Sequence, residues 1–190
     1  EMQVGLINLQ KNVGVTFVFV THAQAEALAL SHRIALMREG RIEQMDAPSR
    51  LYSAPRNRFV ADFIGNINLF EVEVTEAAAG HLRLAAPGLG EITAPARAGT
   101  QTGMRGCFAI RPEQVRICRQ HDVDLKNRFC GCVRDFLYIG DVTTYKVELE
   151  NGTVIEALIA NSDPARAMLF QVDDQVTVAW RHDAGHFLDE

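Results

Sequence analysis

The sequence predicts an α/β segment over residues 1–65 followed by an all-β barrel or sandwich domain over residues 66–190. Three observations lead there. The run Val15-Thr16-Phe17-Val18-Phe19-Val20 is unbroken β-branched and aromatic, the composition of a central parallel strand covered on both faces. A polar turn and a stretch of helix formers follow it, which is the alternation of an α/β fold. From Asn66 onward the helical period gives way to nine short β segments punctuated by Gly, Pro and Asn-Gly, the pattern of an antiparallel barrel or sandwich.

Each element has a local reason. Leu6, Ile7, Leu9 and Val13 recur near the helical period and Gly14 stops them, so the chain opens on the end of an amphipathic helix. Residues 23–30 carry strong helix formers and one acid, Glu26. Arg33 to Arg38 and Arg41 to Met45 flank Glu39-Gly40 and predict a two-residue hairpin. Asp46 with Pro48 predicts an N-cap and a short helix through Leu51 and Tyr52, stopped by Pro55. A second short helix runs from Asn57 to Ile64 and ends at Gly65. The β segments begin with Leu69 to Val74, and Glu150-Asn151-Gly152 marks the clearest later hairpin.

Charge and composition exclude several function classes. The 19 Lys and Arg against 24 Asp and Glu give a formal charge of −5, which leaves no basic excess to hold a phosphate backbone, so nucleic acid is not an expected partner. No long apolar run could span a bilayer, and any membrane role is expected to be peripheral. Cys107, Cys118, Cys130 and Cys132 without an apolar leader suit a reducing compartment and read as thiols buried in strands. The C-x-C spacing of Cys130 and Cys132 lacks a second ligand pair, so no metal is predicted. His121, His182 and His186 read as solvated groups in loops or at strand ends, and Asp173 with Asp174 as a polar turn. No Ser sits in a G-x-S-x-G frame and no Gly is followed by Lys, so neither a nucleophile elbow nor a phosphate-cradling loop is present.

His22 is the candidate site residue. At the carboxyl end of the predicted strand its ring could donate a hydrogen bond to an anionic oxygen such as a terminal phosphate, because ligands of open α/β sheets lie outside those strand ends. The alternative is a histidine that caps the following helix.

The strand VTFVFVTH, the helix AQAEALALSHRIALM, the turn REGRIEQMDAPSRLY and the helix NRFVADFIG together resemble the last third of an ABC-type ATP-binding subunit. The runs FIGNINLFEVEV, IRPEQVRI, GCVRDFLYIGDVTTYKVELENG and QVTVAW resemble the transport-associated OB-like domain that follows the ATPase domain in importers, most closely those for spermidine and putrescine. Importers for sulfate, iron or sugars share this architecture, and a stand-alone OB-like binding module is the other alternative.

The resemblance implies that residues 1–65 are the α/β remnant of a P-loop ATPase domain, with His22 as the switch histidine, both catalytic and in contact with the ATP γ-phosphate. It implies that residues 66–190 are a regulatory or dimerising domain. ATP and Mg would bind in the full-length subunit and not in this stretch, which lacks the Walker A loop, signature motif and Walker B acids. The implied partners are a second ATP-binding subunit in a homodimer, transmembrane permease subunits and, indirectly, a periplasmic solute-binding protein, at the cytoplasmic face of the inner membrane. Where the family has acids just after the switch histidine and two positions later, this chain has Ala23 and Ala25. Each missing charge removes about 0.3–1 kcal/mol of favourable interaction with the helix N-terminus.

Overall fold

A computed structural model describes residues 2–119, 125–161 and 170–189. The chain divides into two compact units, 1–65 and 66–190.

The first unit carries four helices, α1 (Met2–Val13), α2 (Gln24–Leu30), α3 (Pro48–Ser53) and α4 (Arg58–Phe63), and a hairpin of β1 (Ile34–Arg38) and β2 (Arg41–Asp46). Gly14 at φ 69° closes α1 by donating its N–H to Gln10 O at 2.9 Å. The turn between β1 and β2 holds both Glu39 and Gly40 at positive φ, 50° and 77°, as a type I′ turn requires. Asn57 caps α4, its Oδ1 accepting from Val60 N at 3.0 Å. Helix α3 is capped differently from expectation. Pro48 takes the first helical position, which makes Ala47 the N-cap and leaves Asp46 one residue outside, its Oδ1 accepting from the Ala47 N–H at 2.9 Å. Leu36, Leu51, Val60 and Ile64 form the small core of this unit, with Leu28, Ile34, Tyr52 and Phe59 against it.

The predicted central strand is not one. Residues 15–20 carry no strand pairing and are exposed, with Val18 at 87% and Val20 at 92%. A strand exists only when a neighbour pairs its N–H and C=O groups, and the strands described in this unit, β1 and β2, pair antiparallel with each other. The composition of a buried strand is present without the sheet that would bury it.

The second unit contains ten described strands where nine were expected: β3 (Asn68–Ala78), β4 (His81–Ala86), β5 (Gly90–Pro95), β6 (Arg105–Ile110), β7 (Arg116–Cys118), β8 (Asn127–Tyr138), β9 (Val142–Leu149), β10 (Val154–Ala160), β11 (Gln175–Trp180) and β12 (His186–Asp189). The additional one, β12, is four residues long, too short to show a period, and gains its place by pairing with β6. Gly106 makes that pairing possible, since a Cβ there would collide with the Leu188 carbonyl oxygen.

These strands form two antiparallel sheets, in the orders β12-β6-β3-β4-β5 and β10-β9-β8-β11-β7. The topology is an internal duplication. In each half four consecutive strands (β3 to β6, then β8 to β11) build a sheet in which the first strand pairs with the second and the fourth, and the second pairs with the third. The fifth strand crosses over, so that β7 joins β11 and β12 joins β6. Exchanging these strands locks the halves around one core, which runs from Phe70, Leu84 and Phe108 to Tyr145, Val178 and Trp180. Trp180 lies at its centre, its ring centroid 5.0 Å from Phe129 and 6.1 to 6.2 Å from Phe108 and Phe70.

Two buried asparagines join the sheets where backbone pairing ends. Asn68, first residue of β3, accepts from Glu156 N at 2.7 Å and donates to Glu156 O at 2.8 Å on the edge strand β10. Asn127, first residue of β8, accepts from Thr93 N at 2.8 Å and donates to Thr93 O at 2.9 Å on the edge strand β5. Each amide acts as one further residue of a sheet ladder and satisfies an edge that would otherwise be left unpaired.

Candidate functional site

His22 lies in the bend between the exposed 15–20 run and α2. It does not cap the helix. The N-cap is Ala23, and the neighbouring Thr21 hydroxyl accepts from the Ala23 N–H at 2.9 Å while donating to Glu26 Oε2 at 3.4 Å. Thr21 therefore shapes the turn, and Glu26 supplies the single negative charge in the first turn of α2 that Ala23 and Ala25 do not. With the turn secured by its neighbours, the imidazole of His22 is exposed and makes no hydrogen bond to any described residue. A neutral or protonated ring held this way keeps at least one N–H for an incoming acceptor.

The remaining chemically suggestive groups separate. Of the four cysteines, all unbridged, Cys107 is buried, Cys118 and Cys132 are half-buried and Cys130 is exposed. The expectation of buried strand thiols thus holds for Cys107 alone. The reason is strand alternation: Cys130 and Cys132 occupy successive outward positions of β8, and Cys118 on β7 and Cys130 both sit opposite Thr177 of β11, so these thiols share the outer face of the sheet. Among the described residues no group of three or more His, Cys, Asp or Glu could hold a metal ion. His182 is exposed in the turn after β11, His186 is half-buried at the start of β12, and His121 lies outside the described residues. Asp174 Oδ2 accepts from Gln171 N at 2.9 Å and Asp173 takes φ 72°, which is turn chemistry.

Sequence reasoning gave no notice of the concavity beside the Asn127 clamp. His81 and Arg83 of β4, Glu91 and Thr93 of β5, and Lys126 line a cleft of about 300 Å³. It is assembled by cross-strand pairing, in particular Arg83 opposite Thr93, and such pairs are invisible without the register. No described helix is long and apolar enough to cross a membrane.

Comparison with known proteins gives these sites a context. Residues 108–188 match the TOBE domain family. The whole chain is 63% identical to the spermidine/putrescine import ATP-binding protein PotA of Nitrosospira multiformis, covering 53% of that protein. It is 52% identical over 99% of its length to the PotA of Nitrosomonas eutropha, covering 52% of it, and 36% identical over 96% of its length to that of Thermotoga maritima, covering half. The chain spans about half the length of these relatives. Among solved structures, the cytoplasmic molybdate-binding protein ModG matches 65% of this chain and 96% of its own with a TM-score of 0.56 at 14% identity, a likeness of fold. Over its whole length the chain thus matches the C-terminal half of the spermidine/putrescine import ATP-binding proteins and carries their TOBE domain.

Proposed function

We propose that this chain is the C-terminal half of the ATP-hydrolysing subunit of a polyamine ABC importer, with His22 as its switch histidine and residues 66–190 as a regulatory and dimerising domain. The observation that carries the reading is 63% identity over the whole length of the chain to a protein named for spermidine and putrescine import. The exposed run 15–20 supports it: apolar side chains left in water in this way mark a surface that other structure covers. In the complete subunit that run becomes a strand of a parallel sheet completed by the preceding half, and His22 comes to its ligand-bearing edge.

Phosphoryl transfer is catalysed chiefly by positioning and by donors aimed at developing charge. His22 supplies one such donor from an exposed ring, with Thr21 and Glu26 fixing the turn that presents it. ATP with its Mg binds mainly through the preceding half. A second ATP-binding subunit and the transmembrane permease subunits complete the assembly at the cytoplasmic face of the membrane.

Uptake of labelled spermidine by cells carrying the complete importer tests the substrate. Uptake should depend on this subunit and be competed by putrescine. Uptake of sulfate or a sugar in its place would overturn the polyamine assignment.

A further inference from the structure

His22 stands at the start of a helix that has little of its own to hold it. No residue of α2 is buried, and its N-cap, Ala23, has no side-chain oxygen with which to cap it. Leu28 packs against the small core further along, which leaves the His22 end of the helix to polar bonds. Those made by Thr21, to Ala23 and Glu26, stay within the turn. They fix its local shape and not its place on the unit. A donor that acts on a transferring phosphate needs both, because misplacement by about 1 Å costs on the order of 10²-fold in rate.

Gln24 supplies the longer-range anchor. It is the first residue of α2, two positions after His22, and its Oε1 accepts from the backbone N–H of Gly65 at 3.2 Å, across 41 residues of sequence. Gly65 is a firm point. It follows α4, which buries Val60 and Ala61, and the preceding Ile64 is packed into the small core with Leu36 and Leu51. On its other side the Asn66 carbonyl accepts from Nη1 of the buried Arg111 at 3.0 Å. Gly65 itself takes φ 71°, a left-handed value that glycine adopts without strain, so the direction of its N–H is set by the backbone.

We propose that Gln24 is the positioning residue of the switch histidine: its amide oxygen, bonded to the Gly65 N–H, fastens the start of α2 to the end of α4 and so sets where the His22 ring stands. This role rests on His22 being the switch histidine, and Gln24 acts through that residue without meeting the nucleotide. The bond to Gly65 uses only the side-chain oxygen. A glutamate at this position keeps an acceptor at the same reach, whereas a leucine fills similar space and offers none.

Steady-state ATP hydrolysis by the complete subunit tests the role, in single variants and in combination with His22→Ala. Gln24→Leu should lower kcat about tenfold, the scale of one lost hydrogen bond, with KM for ATP within about twofold of the parent value. Gln24→Glu should keep most of the parent rate. In the His22→Ala background, Gln24→Leu should change kcat by less than about twofold, because a residue that acts through His22 then has nothing to place. Amide hydrogen exchange in the 190-residue chain gives a readout independent of activity: the Gly65 N–H should exchange faster in Gln24→Leu and at the parent rate in Gln24→Glu. An equal loss of activity in the Glu and Leu variants, or a loss in Gln24→Leu that persists undiminished without His22, would overturn the positioning role. Activity lost in His22→Ala but unchanged in Gln24→Leu would overturn that role alone, whereas full activity in His22→Ala would remove the switch-histidine reading and the positioning role with it.

Discussion

Asn68 and Asn127 occupy the same place in the two halves of the second unit, each opening the first strand of its half and each clamping the third strand of the other. Asn68 sits opposite Ile110 and Asn127 opposite Trp180, so the equivalence extends to register. Both are buried, at 7% and 1% exposure. The clamps make the two sheets interdependent: neither edge strand can leave without stranding a buried amide.

Removing one clamp should therefore cost more than an ordinary hydrogen bond. Asn127→Ala deletes the donor and acceptor that serve Thr93, together with a further donation to Arg181 O at 3.4 Å. It leaves backbone groups of β5 unsatisfied. A loss of about 2–4 kcal/mol is expected in urea unfolding, from unpaired groups costing about 1–3 kcal/mol each. Asn68→Ala should behave alike through Glu156. A change under about 0.5 kcal/mol, the range of an ordinary surface substitution, would remove the clamps from the account.

The thiols should react in the order of their exposure. Cys130 stands on the open face of β8 and should react with a disulfide reagent at once, Cys118 and Cys132 more slowly. Cys107 lies in β6 between β3 and β12 and should be modified only when the unit unfolds. Mass spectrometry of timed aliquots reads the order. Modification of Cys107 together with Cys130 in native protein would contradict the burial described.

The turn after β11 carries a bidentate ion pair, Arg181 Nε to Asp183 Oδ1 at 2.7 Å and Nη2 to Oδ2 at 2.6 Å. Hydrogen bonding by Arg181 is the main cause that holds the Asp183 carboxyl below the ordinary carboxylate range. A carboxyl depressed in the folded state contributes stability above its unfolded pKa, about 3.9, and that contribution fades as pH falls through the folded value. An NMR titration should place the Asp183 midpoint below this reference, and Arg181→Ala should return it upward. An unmoved midpoint in the variant would break the assigned cause.

Short-range signals were readable from residues alone. Glu39-Gly40, Asn57 and Glu150-Asn151-Gly152 each fix a turn or cap through local backbone chemistry, and the structure contains all three. The β character of the second unit followed from the alternation along strands such as β3 and β9. Long-range features were not readable. The crossing of β7 and β12 depends on pairing across some 60 to 80 residues, and β12 has four residues with which to announce itself. The amide clamps and the cleft of His81 and Lys126 are likewise products of register. The run 15–20 failed in the opposite sense: its composition describes a strand whose sheet partners are absent from the described residues. His22 could be singled out by its place after that run, whereas the role of Thr21 in shaping its turn required coordinates.

The central claim is that His22 acts on the terminal phosphate of ATP, and one pair of measurements on the complete subunit addresses it. In His22→Ala, ATP binding by equilibrium titration should remain close to that of the parent protein while the hydrolysis rate falls by roughly 10²-fold or more, the scale of losing one preorganised donor. Hydrolysis at the parent rate in that variant would contradict the claim and leave His22 an exposed residue of an ordinary turn.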